Sequence, residues 1–269
     1  MMCAAPLVAL LLASPEKVQR KDGTKVVMHR TSLKKELKLS IRFLKSKRVL
    51  LLLPIFFNSW WSDSFITTYN ATYFTVRTRA LSAFITPFAG NLSSIAIGAF
   101  LDSKIATRRR RSLYALFFFL LFNYAIWAYL AANIAHYNSM AETPEFDWTT
   151  NGFARSYIII FLTNMEELGV QTFLYYILGT LTNDMQELVH LTGILRGIEG
   201  AGQAVSYGIS GSTAPKWVII GLGFAFVTLS FPAAFLAIRD LEDESVKPQK
   251  IESGAVDKEY DEADNKNLE

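Results

Sequence analysis

Asn164, Glu167, Gln171 and Tyr175 follow one another at intervals of three, four and four residues, so on a helix they form one stripe. A carboxylate among amides and a phenol, inside an otherwise apolar segment, is suited to holding a polar solute or a coupling proton. Its neighbour Glu166 shares the other face with Val170, Phe173 and Ile177, which makes Glu167 the better cavity candidate. Ser59, Asp63 and Thr67 make a similar stripe further upstream, with Asn58 and Ser62 beside it, and Asp63 is the only charge between residues 49 and 69. A third polar face carries Arg196, Glu199, Gln203 and Ser206. Beside it Gly200, Ala204 and Gly208 lie four apart, a small-residue ridge that lets another helix approach. Arg196 and Glu199 are spaced to pair within the helix. Two readings stay open for all of these residues, a ligand cavity or polar contacts that only join neighbouring helices.

Other chemistries lack their residues. No Gly-rich phosphate loop follows a strand and no Gly-x-Ser-x-Gly element is present. His29, His136 and His190 are scattered, and Cys3 has no second cysteine to pair with. Neither an enzyme, a cofactor nor a metal site is expected.

The segments that must position these stripes are apolar. The chain is 51% hydrophobic, 13% aromatic and 19% charged, with a mean hydropathy of +0.23. The apolar residues gather in six blocks, approximately 49–69, 80–101, 113–134, 157–181, 191–210 and 217–238, each of a length that spans the hydrocarbon of a bilayer. The fourth block is a special case. Glu166 and Glu167 together cost about 5–7 kcal/mol to insert, roughly what its large apolar residues return, so it needs neighbouring helices or a wet cavity.

Charge is sorted by side of membrane, not gathered into a nucleic-acid-binding face. Of the 27 Lys and Arg, 22 lie in residues 15–48, 102–112 and 239–269. The positive-inside rule makes these segments cytoplasmic. Six crossings then return the chain to the same side, and the acidic loop from Glu142 to Asp147 falls outside. Residues 1–14 are apolar but too short to span; a signal peptide and the end of a truncated transmembrane helix are the two readings. Residues 15–48 form a basic cytoplasmic loop, 49–238 the six-helix transmembrane bundle, and 239–269 a polar tail expected to be disordered.

Between the second and third blocks the chain reads Gly98-Ala-Phe-Leu-Asp102-Ser-Lys-Ile-Ala-Thr, then Arg108, Arg109, Arg110 and Arg111. The Gly permits close helix approach, the Asp ends a span, and the Arg run can meet that Asp or anionic lipid. This segment resembles the gating loop after the second and eighth spans of major facilitator transporters. More narrowly, residues 70–81, 98–111, 178–184 and 195–202 resemble the C-terminal half of fungal uncoordinated-93-like proteins, a branch of that superfamily. Pro15 to Thr24 resembles the start of their central loop, which favours the truncated-helix reading of residues 1–14. Glu199 departs from the pattern, since relatives are expected to carry an uncharged polar residue there. The resemblance implies an all-α membrane protein, one half of a major-facilitator-type bundle. It also implies a secondary transporter for a small solute, needing the missing N-terminal half or a second copy, or else a regulator or escort of another membrane protein.

Overall fold

The computed structural model describes residues 33–182, 184–239 and 241. Residues 1–14 and the tail from 242 lie outside the described residues. The chain divides into a unit ending at Phe43 and a second beginning at Leu44. α1 (Leu33–Leu44), which lies in the first but for its last residue, places Lys34, Lys38 and Arg42 four apart, with Leu37 and Ile41 on another face.

The second unit is a helical bundle: α2 (Lys47–Asn58), α3 (Trp61–Tyr73), α4 (Val76–Asp102), α5 (Arg108–Asn138), α6 (Phe153–Leu181), α7 (Met185–Ser210) and α8 (Lys216–Arg239). Among the described residues, four stretches are long and apolar enough to cross a membrane: Lys47–Tyr73, Val76–Asp102, Arg108–Asn138 and Lys216–Arg239. The expected fourth and fifth spans correspond to α6 and α7, which fall short on hydropathy because they carry Glu166, Glu167, Arg196 and Glu199. Burial compensates in α6, whose Ile159, Thr163, Glu166, Glu167, Val170, Gln171, Phe173 and Ile177 are all enclosed by neighbouring helices. The outward faces are apolar instead, with Phe84, Phe88, Leu92 and Ile95 exposed along one side of α4.

The first apolar block is not one helix. α2 ends at Asn58 and α3 begins at Trp61. Pro54 removes one N–H from α2, yet the break comes later, where the Ser59 hydroxyl donates to the Phe56 carbonyl at 2.8 Å and competes with helical bonding. The helix then restarts after Trp60, whose φ of −123° and ψ of 25° are not helical.

Small residues decide which helices touch. α4 packs on α6 where a side chain at Gly90 would overlap Leu168, and where the Ser94 hydroxyl donates to the Leu168 carbonyl at 3.1 Å. α7 meets the break itself: a Cβ on Gly202 would overlap the Phe57 carbonyl oxygen. At one end of the bundle an aromatic cluster of Tyr69, Tyr73, Phe74, Tyr137 and Phe146 closes the core.

The loop between α5 and α6 is tied to that end. The Phe146 N–H donates to the Tyr73 carbonyl at 2.8 Å, and the Thr75 N–H donates to the Phe146 carbonyl at 3.1 Å. Asp147 accepts from the Thr75 and Thr78 hydroxyls at 2.9 and 3.1 Å and faces Arg77 at 3.8 Å. The Thr75 bond, against an opposing desolvation and with help from Thr149, Thr78 and Arg77, holds Asp147 below its ordinary carboxylate value of 3.8. A depressed pKa in the folded state contributes stability above the ordinary value, lost as pH falls through the folded one. Protection factors for hydrogen exchange across residues 139–152 are therefore expected to fall as the pH drops below the ordinary Asp value, and in Asp147→Asn to be low already at neutral pH. Equal protection in wild type and variant at neutral pH would refute this tether.

Candidate functional site

The break between α2 and α3 lies near the middle of its apolar stretch, and polar side chains from α3, α6 and α7 converge on it. Ser62, in the first turn of α3, donates to Glu167 Oε1 at 2.7 Å, and both residues are buried. The Trp60 indole N–H donates to Gln171 Oε1 at 2.9 Å, and the Gln171 amide donates onward to Glu199 Oε2 at 3.2 Å. Arg196 Nη1 donates to Glu199 Oε1 at 2.6 Å, and its guanidinium lies 5.4 Å from the centre of the Tyr175 ring. Asp63 accepts at one oxygen from the Gln203 amide at 2.7 Å and the Tyr207 hydroxyl at 2.9 Å.

Local sequence explains why these groups present themselves. A helix restarting at Trp61 exposes backbone N–H groups at its first turn, where the macrodipole favours an acid, and Asp63 stands there. Glu167 and Gln171 are four apart on α6, so both reach the break. On α7, Arg196, Glu199, Gln203 and Tyr207 follow the helical repeat. The result is a mid-bundle network in three neighbouring hydrogen-bonded groups, which together hold three carboxylates and one guanidinium. Glu167 has no cation among its recorded partners and relies on Ser62, a carboxylate arrangement suited to exchanging a proton or a cationic group.

The expected residues separate into three groups. Asp63, Glu167, Gln171 and Tyr175 join the network together with Arg196, Glu199 and Gln203. Asn164 does not, since its amide donates back to the Ile160 carbonyl of its own helix at 3.1 Å. The loop residues lie elsewhere: Asp102 ends α4, exposed, and Arg108, Arg109, Arg110 and Arg111 open α5 behind the Thr107 cap. Arg108, Arg109 and Arg110 oppose the dipole at a helix N-terminus, an arrangement favoured by an anionic membrane surface and not by the helix itself, whereas Arg111 is buried. Gly98 faces Thr172 of α6 at ordinary contact distance. Among the described residues the glycines of the Gly200, Ala204 and Gly208 ridge make no close helix contact; none of them lies within 4 Å of a Cβ placed at Gly200 or Gly208. Helix contact falls to Gly202, which points to the opposite face. Ser206 likewise leaves the stripe to bond the Trp61 carbonyl at 2.6 Å and to meet Ser64.

Trp60 and Tyr207 were missed as site residues. Trp60 stands mid-way along the first apolar block with nothing local to mark it, whereas Tyr207 simply continues the Gln203 stripe by four and could have been found. Glu166 has its own partner on the other side of α6: the Asn123 amide donates to it at 2.7 Å.

Long apolar helices, exposed apolar flanks and the buried carboxylates Glu166, Glu167 and Glu199 define a multi-pass integral membrane protein. The comparisons agree with this class. Over 238 residues the chain is 36% identical to a notoamide biosynthesis cluster protein of Aspergillus versicolor, covering 87% of this chain and 51% of that protein. It is 31% identical over 216 residues to a UNC93-like protein of Schizosaccharomyces pombe, covering 77% and 42% respectively. Against UNC93-like protein 1 of Arabidopsis thaliana it is 26% identical over 249 residues, covering 88% and 53%. The chain is thus a homologue of UNC93-like proteins of fungi and plants. It spans about half the length of the curated relatives it matches. No family model matches it, and no solved structure does.

Proposed function

We propose that this chain is one six-span bundle of a major-facilitator-type secondary transporter for a small solute, with α2 and α3 together forming its first span. The observation that carries the reading is the interrupted first span meeting Asp63, Glu167 and Glu199 at mid-depth. Discontinuous helices and ionisable groups near the midplane are the usual construction of secondary transporters. In this reading Asp63 and Glu167 take the coupling proton or a cationic group of the solute, while Gln171, Gln203 and Tyr207 orient them. The name of the Aspergillus versicolor relative supports a small-molecule solute. One bundle cannot alternate alone, so either a second copy or the remaining half seen in the longer relatives completes the carrier.

The test is proton flux in proteoliposomes, with this chain alone and with the unmatched part of the Schizosaccharomyces pombe relative co-reconstituted. Wild type is expected to dissipate an imposed pH gradient in one of the two. Asp63→Asn and Glu167→Gln should each slow that flux at least about tenfold, the effect of about 1.4 kcal/mol on a barrier. Undiminished flux in both variants, or no wild-type flux above empty liposomes in either preparation, removes the reading.

A second reading is favoured by one observation, the uncovered ridge of Gly200, Ala204 and Gly208. There the chain is an escort or regulator that receives a helix of another membrane protein. Gly200→Leu with Gly208→Leu should then abolish co-purification of a specific membrane protein while leaving the bundle folded. An unchanged set of co-purified proteins argues against it.

A further inference from the structure

Glu166 points away from the network just described and lines a separate cavity of about 40 Å³ between α2, α5, α6 and α8. Asn58, Ser59, Asn123 and Ser230 share that lining, and among the lining residues Glu166 is the only ionisable one. We infer that this cavity is a binding site for a small monovalent cation, coordinated by Glu166 with the side-chain oxygens of Asn58 and Asn123.

The argument begins with an imbalance of acceptors. The Ser59 hydroxyl already donates to the Phe56 carbonyl at 2.8 Å, and the Ser230 hydroxyl to the Val227 carbonyl at 3.1 Å. Both therefore offer only lone pairs to anything in the cavity. Asn58 Oδ1 and Asn123 Oδ1 are buried, and neither has a hydrogen-bond partner. Glu166 is 4% exposed and receives its recorded bond from the Asn123 amide. Apart from the Asn123 bond, no lining donor reaches Glu166 or either amide oxygen, although the Asn58 and Asn123 amides carry further N–H groups, and acceptors left in this way are unfavourable unless something positive completes them. Water could serve two of these acceptors but would leave the carboxylate charge unmatched.

Position gives a second and independent reason. Asn58 and Ser59 sit where α2 stops inside the bundle, and the last carbonyls of a helix lack intrahelical donors and carry the negative end of its dipole. Asn123, Glu166 and Ser230 each lie near the middle of their own helices. Half-helix C-termini with nearby carboxylates at the midplane are where sodium or proton coupling sites are built in broken-helix proteins. Charge sets the valence: one carboxylate neutralises one monovalent cation, whereas a divalent ion would keep an uncompensated charge at membrane depth. The cavity is large enough for a cation with a retained water.

The experiment uses the purified chain in mild detergent, with sodium chloride exchanged for choline chloride at constant ionic strength. Equilibrium binding of radioactive sodium should reach about one ion per chain, and the apparent Tm should rise by ~5–10 °C at a hundredfold excess over Kd. Glu166→Gln and Asn123→Leu should lose both responses, while Asp63→Asn and Glu167→Gln keep them. The wild-type measurement needs no variant to fold, and absent sodium binding there overturns the site. Retained binding in a folded Glu166→Gln variant overturns it too. So does a Tm that follows pH and not sodium, which would mean that Glu166 holds a proton. The readout is binding, so it is decided separately from the transport reading.

Discussion

Gly202→Ala is expected to lower the apparent Tm of the chain by about 10 °C, while Gly200→Ala and Gly208→Ala leave it within about 2 °C or raise it slightly. The difference lies in what a single methyl group meets. At Gly202 it would overlap the Phe57 carbonyl oxygen, a backbone atom in the last turn of α2 that cannot swing aside as a side chain would. α7 would have to withdraw from the break, and Gln203 with it, lengthening the bond to Asp63. Forcing atoms into a packed contact costs about 1–3 kcal/mol and more when backbone must move. At Gly200 and Gly208 the added methyl meets nothing within 4 Å, so only the better helix propensity of Ala is felt. Thermal denaturation followed by size-exclusion chromatography in detergent checks the trio. Equal stability of all three variants would mean that α7 does not approach Phe57.

The second large effect is expected at Arg196. Arg196→Leu should destabilise the bundle by about 2 kcal/mol, because Glu199 stays buried and keeps only the longer bond from Gln171. The figure is set below the ~3–5 kcal/mol typical of a fully enclosed pair because the Arg196 side chain is 50% exposed and partly screened by solvent. Adding Glu199→Gln to Arg196→Leu removes the stranded charge and should recover most of the loss. Arg196→Lys should recover less, since an ammonium does not reproduce the guanidinium stack on Tyr175. A double-mutant cycle of thermal stabilities measures the coupling between the two residues. Effects that add to within about 0.3–0.5 kcal/mol would show that the pair contributes nothing beyond its two members.

The two predictions concern residues three and six positions apart on one helix, yet they differ in how they became visible. Arg196 and Glu199 could be paired on paper, because a spacing of three on a helix is itself a distance. Gly202 could not be distinguished from Gly200 and Gly208. All three offer the same absence of a side chain, and the ridge at intervals of four favoured the pair that proves to face outward. Likewise Glu166 shares its face with Val170, Phe173 and Ile177, which marks it as core-facing, and nothing local announces that Asn123 waits opposite.

Helical class, membrane residence, the apolar blocks and the polar stripes of α6 and α7 were all written locally, because a bilayer demands lengths and compositions that a short window of residues satisfies or fails. The place where the first span breaks, the gathering of Trp60, Ser62 and Asp63 against Glu167, Gln171, Gln203 and Tyr207, and the hold of Thr75 and Thr78 on Asp147 came only with the packed bundle. Each joins groups far apart in the chain, and such a contact depends on how whole helices rotate and cross. Those angles are settled by the sum of many weak steric contacts, which no single stretch of residues encodes.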